Sequence, residues 1–222
     1  MKDEHFAILR RHMVEVIGIY VDLAADELGK PALDQRVIEA MGRVPRHAFV
    51  PAPLAAYAYH DSPLPIGFDK TISQPFIVAV MTDLLEPQAD DVVLEVGTGL
   101  GYQAAVLSQL VRRVWSVEII EELAAEAEER LHRLGYANVG IRIGDGALGW
   151  ADHAPYDKII VTAAAELVPP ALIQQLKPGG RMVLPTGPSE EQKLTVVEKD
   201  NAGRSHLREL MSVRFGLLET VR

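Results

Sequence analysis

Between residues 91 and 187, short apolar runs of strand length alternate with helical stretches: "DVVLEV", "GYQAAVLSQL", "RVWSVEI", "EELAAEAEERLHRLG", "NVGIRIGD", "YDKIIVTAA", "PPALIQQLKPGG" and "RMVLPTG". Strands separated by helices of about 8 to 15 residues imply crossover connections, and crossovers build parallel sheets. The expected fold class is therefore α/β, with a doubly wound, mainly parallel sheet. "KLTVVEKD" and "VRFGLLE" read as two further strands, and the turn residues in "KDNAGR" between them allow that end of the sheet to be antiparallel.

Ahead of this core, residues 4 to 28 carry Phe6, Leu9, Met13, Val16, Ile17, Tyr20 and Leu23 at helical spacing, and "ALDQRVIEAMGRVP" repeats the pattern with Val37, Ile38 and Met41. From Phe49 to Ser73 no period of either kind is sustained, and an irregular stretch of this length in a compact domain points to function or to mobility. A further helix is expected over 75 to 86. There is no linker, repeat or low-complexity run. The chain reads as one domain over 1–222, with N-terminal helices and an active-site loop (1–74) capping an α/β core (75–222).

The formal charge of −9 lacks the basic footprint of a nucleic-acid binder. The 222 residues contain no cysteine, which removes thiol nucleophiles, disulfides and Cys-zinc sites and suits a reducing, cytoplasmic setting. Charges run through the N-terminus, and no stretch approaches the roughly 20 apolar residues of a membrane span. His47, His60, Asp61 and Asp69 fall close together but at no recognisable metal-ligand spacing, so no metal is expected.

In "VLEVGTGLGYQAAVL", Gly97, Gly99 and Gly101 stand where the first core strand hands over to a helix. Such glycines make a tight turn, let a ligand lie against the main chain, or both. A dinucleotide fingerprint counted from Gly97 requires a small residue at position 102, and this chain has Tyr102. Glu118 ends the next strand about 20 residues later, where an acid accepts ribose hydroxyls or is simply a solvated strand end. Asp145 and Gly146 follow the third strand, as a turn or as part of a ligand site. The three signals all follow strand C-termini, where open parallel sheets bind ligands.

G-x-G-x-G preceded by Glu95 resembles the first motif of S-adenosylmethionine-dependent methyltransferases. No Cys is available for pyrimidine-C5 chemistry, and the fourth strand ends in Thr162 and alanines rather than an Asn/Asp-Pro-Pro-aromatic loop. A carboxylate acceptor fits, because it is already ionised at neutral pH and needs no base. "RVPRHAFVP", "DSPLPIGFDKTISQPFIVAVMTDLLEP", "VLEVGTGLGYQAAVLSQL", "GDGALGW" and "APYDKIIVTAAAELVPPALIQQLKPGGRMVLPTG" together resemble the protein-L-isoaspartate O-methyltransferases, in one order over about residues 36 to 200.

The resemblance implies a Rossmann-like methyltransferase fold, S-adenosyl-L-methionine as cofactor, and damaged proteins and peptides as substrates, with neither nucleic acid nor membrane as partner. It implies methylation of the free α-carboxylate of L-isoaspartyl residues, with repair through a methyl ester and succinimide. A carboxylate O-methyltransferase with a different peptide or small-molecule acceptor is the alternative. A monomer is expected. On the family pattern Ser73 takes the catalytic position. Glu95, Gly97, Gly99, Gly101, Glu118, Asp145 and Gly146 take cofactor positions, and Ile66, Gly67, Phe68 and Ile72 form part of a lid over cofactor and substrate. Two features depart from that pattern: a longer N-terminal connector, "YVDLAADELGKPA", and the tail "VRFGLLETVR", where an apolar-Pro-Leu ending is more usual.

"TISQP" leaves a question of its own. Pro75 suits the first position of a helix, which makes Gln74 the cap and Ser73 the residue before it. Ser73 can then start a helix, hold a substrate beside the positive helix end, or do both.

Overall fold

The structure, a computed structural model, describes residues 3–221. Helix α1 (Asp3–Leu23) buries Phe6, Met13, Ile17 and Val21, the stripe set by its sequence spacing. The helical stretch then breaks near Ala24, and α2 (Ala25–Leu28) closes on Gly29 in the left-handed region. Helix α3 (Gln35–Arg43) is capped by the Asp34 carboxylate, which accepts from the Arg36 N–H at 2.8 Å. Helix α4 (Pro75–Leu84) comes after the irregular loop, and its buried Asp83 anchors the long connector by accepting from Lys30 Nζ and the Asp34 N–H, both at 2.6 Å.

The aperiodic stretch 49–73 is ordered after all. Turns of 3-10 helix at Arg46–Phe49 and Ala52–Tyr57 lead into a small antiparallel hairpin, β1 (Leu64–Gly67) with β2 (Lys70–Ile72). Elements this short carry too few residues for a period to show.

The core runs β3 (Val92–Val96), α5 (Tyr102–Ser108), β4 (Arg113–Glu118), α6 (Glu121–Arg133), β5 (Val139–Ile143), β6 (Tyr156–Val161), α7 (Pro170–Gln175), β7 (Leu176–Thr186), β8 (Gln192–Lys199) and β9 (Ser205–Val213). The strands align as β5-β4-β3-β6-β7-β8-β9, parallel as far as β7 and antiparallel beyond. This is the doubly wound, mainly parallel sheet expected, with the antiparallel end that "KDNAGR" allowed. One expectation fails. "VRFGLLE" is not the last strand: β9 ends at Val213, and the residues after it form an extended tail that makes an isolated bridge from Leu217 to Ala164.

Helices α1, α3, α4 and α5 contribute buried side chains to one apolar layer, continuous with the β3 and β4 residues facing that side. Leu94, Val96, Val117, Ile159 and Val161 face the other way and pack with Leu172 of α7. Alternate residues of β3 thus reach opposite layers, which is why "VVLEV" is apolar on both faces.

Candidate active site

Chain order reverses between β3 and β6. From β3 the chain winds outward to β4 and β5, then returns to β6 and winds the other way. The two connections part at that point, leaving a crevice beyond the strand ends. A cleft of about 830 Å³ opens there, and Ile66, Ser73, Gly97, Gly99, Glu118, Gly146 and Thr162 are on its wall.

The glycine turn is shaped by contact with the neighbouring strand end. Thr162 Oγ1 donates to the Gly97 carbonyl at 2.7 Å, and Gly97 has φ +92°. A Cβ at Gly97 would stand 2.5 Å from Thr162 Oγ1, so a side chain is barred by strain and by space. Gly146 is constrained by space alone: a Cβ would meet Val96 Cγ1 at 2.3 Å.

The Glu118 carboxylate accepts from the Gly99 N–H at 2.8 Å and the Ile120 N–H at 3.1 Å. These bonds tie the end of β4 to the glycine turn and fix the carboxylate at the cleft. Glu95 is placed differently. It lies fully buried beneath the turn, away from the cleft, accepting from Ser116 Oγ, which in turn bonds Thr98 Oγ1 at 2.6 Å. Burial pushes its carboxyl up to about 8, opposed by the Ser116 bond and aided by nearby Glu118.

At the other rim, α4 opens as Pro75 requires, with Gln74 at the cap position but no bond from its own side chain to the helix. The cap comes from Asp61, 15 residues upstream of Phe76. Its Oδ1 accepts from the Phe76 N–H at 2.8 Å and its Oδ2 from Gln74 Nε2 at 2.6 Å. Ser73 is therefore relieved of capping. His47 stacks on Phe6 at 3.7 Å between ring centroids, and His60 packs edge-on to Tyr57, so neither turns to the cleft.

The remaining sequence-derived residues divide. Ile72 is buried and borders a smaller cavity of about 50 Å³ behind Ser73, shared with Gly97 and Gly99. Gly67 and Phe68 form the tip of the hairpin, with Phe68 51 % exposed and off the cleft wall. Gly101 starts α5, and the Asp145 carboxylate accepts from the Ala147 and Val221 N–H groups, both at 2.9 Å, rather than facing the cleft.

Sequence reading missed two walls. Tyr20 of α1 tilts against Phe76 at 5.7 Å, and both border the cleft. The end of β9 and the C-terminal tail form another part of the wall over residues 211–219. Gln192 grips this tail, accepting from the Phe215 N–H at 2.6 Å and donating to its carbonyl at 3.0 Å, while Lys70 pairs with Glu219 from the hairpin. The only signal for these residues was position: Tyr20 opens the long connector, and the tail departs from the expected ending.

A parallel sheet with its crevice bounded by a glycine turn and an acid on the adjacent strand, with Tyr102 where a dinucleotide turn needs a small residue, fits a class: an S-adenosylmethionine-dependent methyltransferase. Comparison with known proteins narrows it. The family model described as protein-L-isoaspartate(D-aspartate) O-methyltransferase matches residues 25–220, and the chain belongs to that family. It is similar to protein-L-isoaspartate O-methyltransferase 1 of Polaromonas sp. (strain JS666 / ATCC BAA-500), 56 % identical over 99 % of this chain and 93 % of the relative. Protein-L-isoaspartate O-methyltransferase 2 of Syntrophobacter fumaroxidans is 56 % identical over 96 % and 87 %.

Among solved structures, a protein-L-isoaspartate O-methyltransferase superposes with a TM-score of 0.80 at 28 % identity, covering 94 % of this chain and 65 % of that one. One from Plasmodium falciparum, in complex with S-adenosyl-L-homocysteine, shares the fold with a TM-score of 0.73 at 22 % identity over 85 % of this chain and 92 % of that one. The enzyme uses S-adenosyl-L-methionine to methylate isoaspartyl residues of damaged proteins, and these relatives disfavour a different acceptor. Among the described residues no helix is long and apolar enough to cross a membrane.

Proposed function

We propose that the cleft at the β3/β6 switch point is where S-adenosyl-L-methionine and the isoaspartyl α-carboxylate meet. Glu118 accepts from the ribose hydroxyls, Gly97 and Gly99 cradle the amino-acid end, and Gly146 leaves room beside the adenine. The fit rests on a carboxylate held at the cleft by two backbone N–H groups and on a turn where a Cβ would collide. Glu95, Gly101 and Asp145 serve the cofactor indirectly, by shaping the turn and the loop after β5. When bound, the cofactor supplies an electrophilic methyl group.

Ser73 orients an acceptor oxygen by hydrogen bonding at the start of α4, whose positive end favours an anion. The acceptor is ionised at neutral pH, so no proton has to move and no base is required. Catalysis is then placement and exclusion of water. Ile66 and Ile72 pack the inner side of the hairpin, while Gly67 and Phe68 at its tip cover the bound substrate. The ester product cyclises to a succinimide without further help, and hydrolysis returns some normal aspartate.

The observation that carries this assignment is convergence: Ser73, Gly97 and Glu118, from three separate elements, border one cleft. The acidic, cysteine-free chain fits a cytoplasmic enzyme working as a monomer on proteins and peptides rather than nucleic acid. Incubation with labelled S-adenosylmethionine and two peptides differing only in aspartyl linkage tests the reading. Label should enter the isoaspartyl peptide alone, and equal or absent labelling would defeat it.

A further inference from the structure

Arg46, in "RVPRHAFVP", is the largest fully buried side chain outside the roles assigned so far. Its Nε donates to the Ala58 carbonyl and its Nη2 to the Ser73 carbonyl, each at 2.7 Å. Nη1 has no partner among the described residues. The guanidinium lies 4.8 Å from the ring centroid of Tyr102, the first residue of α5 after the glycine turn. One side chain therefore touches the acceptor loop and the helix next to the cofactor turn.

Its charge is not balanced by a bonded acid. Asp61 is the acid that acts on it, and both Asp61 oxygens are engaged by Gln74 and Phe76. Burial pushes the guanidinium below its ordinary value, although arginine stays protonated at any working pH. A buried cation without a counter-ion is costly, and an anion bound nearby would offset that cost. Arg46 lies behind the cleft wall, and the cations on the wall itself differ: Lys70 is paired with Glu219, and Arg214 is exposed, where water and salt screen it.

We propose that Arg46 is a positioning and charge-recognition residue of the acceptor site, fixing Ser73 through its carbonyl and supplying the buried positive charge that favours an anionic acceptor over a neutral one. The inference rests on the assignment of Ser73 to the acceptor. It gives the enzyme a reason to prefer a free α-carboxylate over an amide of the same shape.

The test is calorimetric, on the enzyme with S-adenosylhomocysteine bound, using an isoaspartyl peptide and the same peptide with its α-carboxyl as a carboxamide. Wild type should bind the acid about tenfold more tightly than the amide. In Arg46→Met the preference should fall to about twofold, through weaker binding of the acid, with affinity for S-adenosylhomocysteine alone unchanged. Arg46→Lys should restore most of the preference while kcat stays low, since an ammonium cannot hold both carbonyls.

A wild-type preference surviving in Arg46→Met, or equal loss of both peptides and S-adenosylhomocysteine, would overturn the proposal. Should Arg46→Met not fold, the Arg46 Nε–H NMR signal of the wild type, identified by its absence in Arg46→Lys, decides. It should move with the acid and stay with the amide, and the same response to both peptides overturns the proposal. Failure of the wild type to methylate the isoaspartyl peptide would instead strike the Ser73 assignment.

Discussion

Glu118 and Glu95 are both acids at strand ends beside one glycine turn, yet their surroundings give them different chemistry. Glu118 meets the cleft and is oriented by two main-chain N–H groups. Its replacement by Ala should weaken cofactor binding by about 1.5 to 3 kcal/mol, roughly ten- to a hundredfold by calorimetry. Glu95 has no access to water and a folded value of about 8 against an ordinary 4.5. The folded state therefore holds a proton that the unfolded chain releases, and stability falls as pH rises between those values. Glu95→Gln, which cannot ionise, should show no such fall, so its melting temperature should gain on wild type from pH 5 to pH 8. Ser73→Ala should lower kcat roughly ten- to a hundredfold. Its stability in denaturant titrations should change by less than about 0.5 kcal/mol, because Asp61 and not Ser73 caps the helix. Glycine spacing and the acid that ends β4 were legible because their positions are set by strand and turn geometry. That Glu95 points inward was not, since the facing of a strand residue depends on which layer packs against it.

At the scale of elements, the strands and helices of the parallel core stood out because each alternates apolar runs with long crossovers. The hairpin and 3-10 turns of the acceptor loop did not, and neither did the cap on α4. Asp61 is distant in sequence from the helix it caps, so no local rule points to it. The tail misled for a related reason: "VRFGLLE" has strand-like residues, but Gln192 and Ala164 hold it at the cleft instead of in the sheet. Gln192→Ala removes both bonds to Phe215. Amide hydrogen exchange over residues 214–219 should then accelerate about tenfold or more, with β8 itself protected as before.

Across the whole molecule, a helical cap and a parallel core share one apolar layer, and their junction is the cleft. The acceptor loop comes from the cap and the cofactor turn from the core, so folding itself brings Ser73 opposite Gly97 and Glu118. The most direct measurement of this claim is a diffraction structure of the enzyme with S-adenosylhomocysteine and an isoaspartyl peptide. The ribose hydroxyls should lie within hydrogen-bond distance of the Glu118 carboxylate, and the peptide α-carboxylate should face the Ser73 hydroxyl. A ribose held elsewhere, or a peptide carboxylate turned away from Ser73, would contradict the account.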